Sequence, residues 1–483
     1  MTDYGENPMT ESRKITINPI SRLEGHGKVT LHLDGTGEVE EARFHVTQFR
    51  GYERFCEGRP FEEMVIITQR ICGICPVSHQ LASAKACDAI LGVQIPETAK
   101  LLRELLHMGQ YIQSHALHFF YLASPDLLFG WDSDPSKRNV LGVIGEFPEL
   151  AVKGIKLRKL GQEIIKALGG KKVHPAYAIP GGVINPLGES DRERLLAGFD
   201  DAFHTANTAL ELIRGWTEKN LGEVRRFANF STNYAGLVDD DGRTDMYDGK
   251  MRISNHQGEV LSEFAPADYL GFVGERVEPW SYMKFPFYKL QGYPDGCYRV
   301  GPLGRLNCAD GMSTPQAAVE WKRFRETASE YKGATLLYHY ARMVELLYSL
   351  EKAESILHEE KVCGNDIRRT GPPVNEEGVG VIEAPRGTLI HHYWVDKHGA
   401  IRKANLIVAT GHNNIAINRS VELVAKEYIH NGEVREGLLN RVEGAIRCYD
   451  PCLSCATHAV GQMPLKVEVY DPKGSLLKEL VRE

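Results

Sequence analysis

Apolar and polar residues alternate with a period of two through ITINPI, GKVTLHLD and VEEARFHVTQF, which predicts three β-strands within residues 14–48. Asp34-Gly35 and Gly37 supply a turn between the second and third runs, and Pro19 closes the first. Helical spacing then takes over. Leu101, Leu102, Leu105, Leu106, Met108 and Ile112 recur along one face and predict a long amphipathic helix over 97–122. Similar patterns cover 145–168 and 189–219, the latter capped by Ser190 or Asp191. The longest helical stretch, 314–361, reads as one helix or as two with a break near Gly333, and a last one covers 415–439. Gly/Pro-rich punctuation falls at 169–188 and 292–304. Short alternating runs over 222–290 and 380–410 predict further strands.

The expected fold is therefore α+β: a large, mainly helical bundle with an N-terminal antiparallel sheet and further short β segments. Along the chain this gives an N-terminal extension (1–13), a β region (14–48), a first helical part (49–221) and a β/loop-rich insertion (222–312). A second helical part (313–458) and a tail (459–483) follow. The chain has 483 residues, 42% hydrophobic and 25% charged, with a formal net charge of -7. That length buries a large core without disulfide staples. Mild acidity and scattered basic residues argue against a nucleic-acid binder. No apolar run approaches the roughly 18–20 residues of a membrane span. The first 25 residues are polar, without the apolar segment of a secretory signal, so a cytoplasmic location is expected.

The ten cysteines change the picture. Cys56, Cys87, Cys297, Cys308, Cys363 and Cys448 are isolated and read as core residues. The other four form two C-x-x-C pairs, Cys72/Cys75 and Cys452/Cys455, near opposite ends of the chain. Two such pairs offer four soft thiolates, suited to zinc, nickel or iron–sulfur chemistry. Three readings stand open on the residues alone: a structural zinc site, separate dithiol redox pairs, or one catalytic site assembled from both chain ends.

The flanking residues are more specific. Arg70-Ile71-Cys72-Gly73-Ile74-Cys75-Pro76-Val77-Ser78-His79 and Asp450-Pro451-Cys452-Leu453-Ser454-Cys455-Ala456-Thr457-His458 resemble the two signature motifs of nickel–iron hydrogenase large subunits. Interior segments resemble the same family: Arg22-Leu23-Glu24-Gly25-His26, Arg50-Gly51-Tyr52-Glu53, His174-Pro175 with Pro180-Gly181-Gly182, Arg299 to Asn307, and Glu383-Ala384-Pro385-Arg386-Gly387. Phe55 to Phe61, Pro76 to His79 and Arg447 to Asp450 look most like its cytoplasmic, multisubunit, NAD(P)-linked branch. The competing expectations are a non-catalytic scaffold subunit of a respiratory-type complex and a structural zinc protein.

What the resemblance implies is a catalytic subunit that cleaves H2 reversibly into protons and electrons. Cys72, Cys75, Cys452 and Cys455 would hold nickel, with Cys75 and Cys455 bridging to an iron that carries cyanide and carbon monoxide. Cys452, as a terminal thiolate with a lone pair to spare, would take the proton and Glu24 would carry it on. The plainer alternative pairs Glu24 with Arg22. Pro385 and Arg386 would sit over the iron, with Thr410 beside them and Asp450 orienting Arg386; for Asp450 the alternative is turn chemistry ahead of Pro451. Glu53 and His458 would bind magnesium, and His79 would support a cysteine or the cluster-facing surface. One departure stands out: many relatives carry an acid near position 114, where this chain reads Gln113-Ser114-His115. The implied partners are H2, a small iron–sulfur subunit, flavin- and NAD(P)-binding electron-transfer subunits, and a maturation protease that cuts after His458 and removes residues 459–483 as a propeptide.

Overall fold

The computed structural model describes residues 13–457, 465–471 and 476–482. The three expected N-terminal strands are present as Arg13–Ile17, Gly27–Leu33 and Val39–Val46, paired antiparallel in sequence order with Leu31 opposite Ile15 and Ala42. Asp34 accepts from the backbone N–H of Thr36 and Glu38, and Gly37 takes a positive φ of 86°, which completes the turn.

The helical bundle is built around Leu337–His358, buried on almost every side. It packs on Glu97–Leu117, Phe199–Lys219 and Pro315–Thr327. Glu97–Leu117 in turn crosses Pro148–Gly169 at a pair of glycines. A Cβ on Gly161 would stand 2.6 Å from the Gly109 carbonyl oxygen, so the two backbones approach as side-chain-bearing residues would not allow.

Several expected helices are divided or displaced. The helix expected over 97–122 is α-helical to Leu117 and continues as a π-helical turn, His118–Ala123. That over 145–168 begins at Pro148, whose missing N–H suits a first turn, behind a separate short helix Val140–Glu146. The stretch 189–219 parts into Glu189–Leu196 and Phe199–Lys219 at Gly198. The break near Gly333 exists because that glycine lies against Phe230, whose carbonyl oxygen would be 2.1 Å from an added Cβ. The expected helix over 415–439 is a misreading. It ends at Tyr428, and a second helix, Glu436–Cys448, runs on toward the last cysteine motif. The punctuation at 292–304 also hides a short helix, Gly301–Cys308.

Two larger sheets and three two-stranded ones complete the described fold, 48% helical and 20% strand and so dominated by the bundle. One runs Gly311–Met312, Arg243–Thr244, Asn233–Val238, Lys250–Ser254, Val260–Phe264, with Tyr298–Arg299 paired in parallel to Asn233–Val238. The other is an antiparallel meander of Glu377–Ala384, Gly387–Val395 and Ile401–Ile407. Ala384 pairs with Gly387, so Pro385 and Arg386 form a two-residue hairpin loop. The helix Pro76–Leu91 lies on this meander through glycines: a Cβ on Gly380 would meet the Ala82 oxygen at 2.0 Å and the Ala86 nitrogen at 2.5 Å. Among the described residues no helix is long and apolar enough to cross a membrane.

These contacts predict opposite signs for two glycine substitutions. Gly380→Val should destabilise the protein by about 3 kcal/mol or more, since neither backbone can yield. Gly215→Ala, on an exposed helical position with no atom within 4 Å of the added carbon, should stabilise it by about 0.5–1 kcal/mol. Thermal unfolding midpoints of the two purified variants check both.

Candidate metal centre

Each cysteine pair sits where regular structure stops. Cys72 follows the helix Met64–Gln69, and Cys75 caps Pro76–Leu91, whose Pro76 occupies the first turn. Cys452 precedes and Cys455 ends a single 3-10 turn, Leu453–Cys455, beyond the helix Glu436–Cys448. The fold brings both pairs together. Sγ of Cys72 lies 3.1 Å from that of Cys452, Cys75 lies 3.3 Å from Cys455, and Cys452 lies 2.9 Å from Cys455. All four sulfurs are buried and within 4.8 Å of one another, and none forms a disulfide. Among the described residues this is the one group of three or more His, Cys, Asp or Glu placed to hold a metal ion.

The electrostatics fit a cation. Hydrogen bonds from Cys452 first, then Cys455 and Cys75, hold Cys72 well below its ordinary pKa. Burial pushes Cys452 and Cys455 well above theirs. A bound divalent cation would favour the deprotonated thiolates.

The N-terminal segment closes the cage from one side. Glu24 pairs with Cys452 in a parallel bridge, and its carbonyl accepts from Leu453 N–H at 3.0 Å. Its Oε2 accepts from Cys452 Sγ at 3.0 Å and from Ser454 N–H at 3.1 Å. A Cβ on Gly25 would lie 2.7 Å from that of Leu453, so the adjacent glycine permits this approach. Glu24 is not paired with Arg22, which was the plainer expectation. Arg22 instead reaches Asp126 at 2.5 Å and the Leu122 carbonyl at 2.7 Å. Asp126 also binds Arg447 on the last helix. This triad ties the N-terminal segment to both helical halves.

On the opposite side the Pro385-Arg386 loop faces the sulfurs across a small cavity, lined among others by Cys75, Cys455, Leu389 and Thr410. Arg386 donates from Nη2 to Asp450 Oδ1 at 3.1 Å and from Nη1 to Ser114 Oγ at 3.2 Å. Burial opposes its charge, but Asp450 and then the cysteines prevail and hold its pKa above the ordinary range. Asp450 therefore contacts Arg386 as expected. It also takes a positive φ of 54° ahead of Pro451, so the turn role coexists with the ionic one. Thr410 Oγ1 accepts from Cys452 N–H at 3.0 Å, which leaves its own hydrogen for the cavity. The loop is held from behind by Arg305, which donates to the carbonyls of Ala384 (2.9 Å) and Pro385 (3.2 Å) and to the carboxylates of Glu345 and Glu383. A Cβ on Gly387 would sit 2.2 Å from Val300 Cγ2, so the helix Gly301–Cys308 can press against the hairpin.

Other expected residues are placed less completely. Glu53 accepts from Leu406 N–H at 2.9 Å and lies 3.9 Å from Lys284, and burial raises its pKa. His458 lies outside the described residues, as do 459–464 and the expected cut between His458 and Ala459. In the tail, Leu465–Tyr470 and Leu476–Arg482 pair antiparallel. His26 is exposed. Sequence reasoning set Ser114 aside, yet it touches Arg386. It assigned nothing to Arg305 and Glu383, although both lie inside the motif segments. Glu345 carried no signal at all.

The comparisons agree with this geometry. The family described as nickel-dependent hydrogenase matches residues 50–129 and 197–458, and a family described as HoxL-like matches residues 14–49. The chain is 45% identical to the NAD-reducing hydrogenase HoxS subunit beta of Cupriavidus necator, over 98% of this chain and 100% of that protein. It is also 45% identical to an F420-non-reducing hydrogenase subunit of Methanothermobacter thermautotrophicus, over 97% of this chain and 100% of that one. The crystal structure of an NAD+-reducing NiFe hydrogenase in its H2-reduced state superposes with a TM-score of 0.90 at 46% identity, covering 92% of this chain and 99% of that chain.

The clamp at Asp126 generates a pH prediction. Burial alone would raise its pKa, but Arg447 and Arg22 outweigh it and hold the carboxyl below the usual range. Its stabilising contribution is complete above about pH 4, the unfolded value, and is lost as pH falls through the lower folded value. An Asp126→Asn variant should be less stable at neutral pH and should lose the corresponding part of the acid limb in a plot of unfolding free energy against pH.

Proposed function

Because the chain belongs to the nickel-dependent hydrogenase family, we propose that the cage is its catalytic centre, with Cys72, Cys75, Cys452 and Cys455 holding nickel and Cys75 and Cys455 shared with iron. The observation that carries this reading is the Cys452–Glu24 contact at 3.0 Å on the wall of a buried four-sulfur cage. Bound there, nickel and iron would supply Lewis acidity toward H2 and a place for its electrons.

The chain's own residues handle the proton. Cys452 Sγ, the sulfur in contact with Glu24, would accept it. Glu24 Oε2, already at hydrogen-bond distance, receives it from the sulfur and passes it outward. Ser454 N–H holds the carboxylate in that pose. The site is closed to bulk water, since Cys452 and Cys455 are at most 1% exposed.

Arg386, Pro385 and Thr410 support the iron side. They line a small cavity with Cys75 and Cys455, and the guanidinium and hydroxyl are donors suited to cyanide, with carbon monoxide against Pro385 and Leu389. Asp450 keeps Arg386 charged and aimed at the cavity. Glu53, a buried carboxylate, suits a hard cation such as magnesium, with His458 as its second protein ligand.

Electrons leave through other subunits. No second cysteine cluster lies among the described residues. A small iron–sulfur subunit is therefore the immediate acceptor, with flavin- and NAD(P)-binding subunits beyond it, in line with the NAD-reducing relative. A cytoplasmic setting belongs to the same reading, because NAD(P) is an electron carrier of that compartment. Cleavage after His458 by a maturation protease completes it.

Two measurements test this reading. Elemental analysis of the purified complex should find nickel and iron at about one each per chain; zinc alone would reject the enzyme. A Glu24→Gln variant should keep its metals yet lose at least about 100-fold in H2/D2O isotope exchange, within the usual range for removing a proton-transfer group. Full exchange in that variant would remove Glu24 from the proton route.

A further inference from the structure

The last carbonyls of a helix have no intrahelical partner and need donors from elsewhere. The helix Glu436–Cys448 ends just ahead of the second cysteine motif. Its Arg447 carbonyl accepts from Asp450 N–H at 3.0 Å and from His118 Nε2–H at 2.8 Å. The Cys448 carbonyl finds no such backbone donor. Pro451 has no N–H, and Cys452 gives its own to Thr410 Oγ1. Arg342, on the buried helix Leu337–His358, takes that place and donates from Nη2 to the Cys448 carbonyl at 2.9 Å.

A neutral amide could make that bond, so the bond alone does not explain the charge. Arg342 is fully buried. Its Nη1 donates to the Tyr338 carbonyl at 3.3 Å, and its Nε has no hydrogen-bond partner among the described residues. The carboxylates around it are bonded to other arginines: Asp450 to Arg386, and Glu345 and Glu383 to Arg305. Burial pulls the pKa of Arg342 down; Asp450, then Glu345 and Cys448 oppose that, and Arg386 repels it. Its charge is therefore felt at the cavity wall and at the second motif. Arg305, Arg342 and Arg386 together balance Glu345, Glu383 and Asp450. His115, which also meets Glu345, adds no charge, because burial lowers its pKa to about 4. Without Arg342 this set carries one negative charge, beside sulfurs that are themselves anionic when they ligate a metal.

We propose that Arg342 is a positioning residue for the cage: it fixes the helix end that leads into Cys452, and its charge keeps the buried network around the metals neutral. The inference rests on the ligand set proposed above. A positive charge in a site shielded from water favours the reduced, more negative state of a nearby centre over the oxidised one, and so raises its potential. Removing the charge lowers that potential even where the bond to the Cys448 carbonyl survives.

The test is an EPR-monitored redox titration of nickel in the whole complex, with nickel content measured in parallel. Arg342→Gln keeps an N–H donor and loses the charge; Arg342→Lys keeps both. The glutamine variant should hold nickel with a midpoint potential below that of the unaltered complex, and the lysine variant should stay close to the unaltered value. A nickel-loaded glutamine variant with an unchanged or higher potential overturns the proposal, as does a lysine variant shifted as far as the glutamine one. Should the glutamine variant take up no nickel, the lysine variant must still take it up; one equally empty overturns the proposal too. Absence of nickel from the unaltered complex would instead overturn the ligand set, and this role of Arg342 with it.

Discussion

Four sulfur atoms from opposite ends of one chain share a space 4.8 Å across, and that convergence constrains nearly everything else in the fold. Burial disfavours four thiolates unless a cation compensates them. The approach itself is held by groups that do not touch a metal. Glu24 bridges to Cys452 through backbone and side chain, Gly25 allows the close pass, and Asp126 joins Arg22 to Arg447. The R-x-E-G-H segment is thus both a latch for the last cysteine motif and the source of the carboxylate beside Cys452.

The interior is unusually charged for a helical bundle. Arg103, Arg299, Arg305, Arg342 and Arg447 are all fully buried. Each buried ion pair is a poor source of net stability, because desolvation offsets most of the Coulomb gain. Their geometric consequence is larger. Arg305 uses its guanidinium on Glu345, Glu383 and two carbonyls of the hairpin that carries Arg386. A lattice of fixed directional bonds thereby sets where that loop stands relative to the sulfurs, which hydrophobic packing could not do with equal precision.

How much of this was legible in the sequence depended on the kind of signal. The N-terminal strands face a core on one side, so their alternation could be read directly. The helix Leu337–His358 is buried all round, so its ends could not be read from periodicity. The single helix expected over 415–439 failed because Tyr428 and Glu436 both sit in helical-looking composition, and the intervening turn carries only Asn431-Gly432 as punctuation. For the site, the cysteine spacing and flanking motifs named the residues that converge. Those acting from behind were silent: Glu345 is one acid in a long helix. Ser114 was visible as a departure, but its contact with Arg386 depended on the hairpin loop.

The family assignment and the geometry meet at one claim: both cysteine pairs bind the same nickel. Nickel-edge X-ray absorption on the purified complex tests it most directly. The account predicts a first coordination shell of four sulfur scatterers at about 2.3 Å, close to the usual metal–thiolate distance, with an iron scatterer just beyond. A shell dominated by nitrogen or oxygen, or one with only two sulfurs, would contradict it.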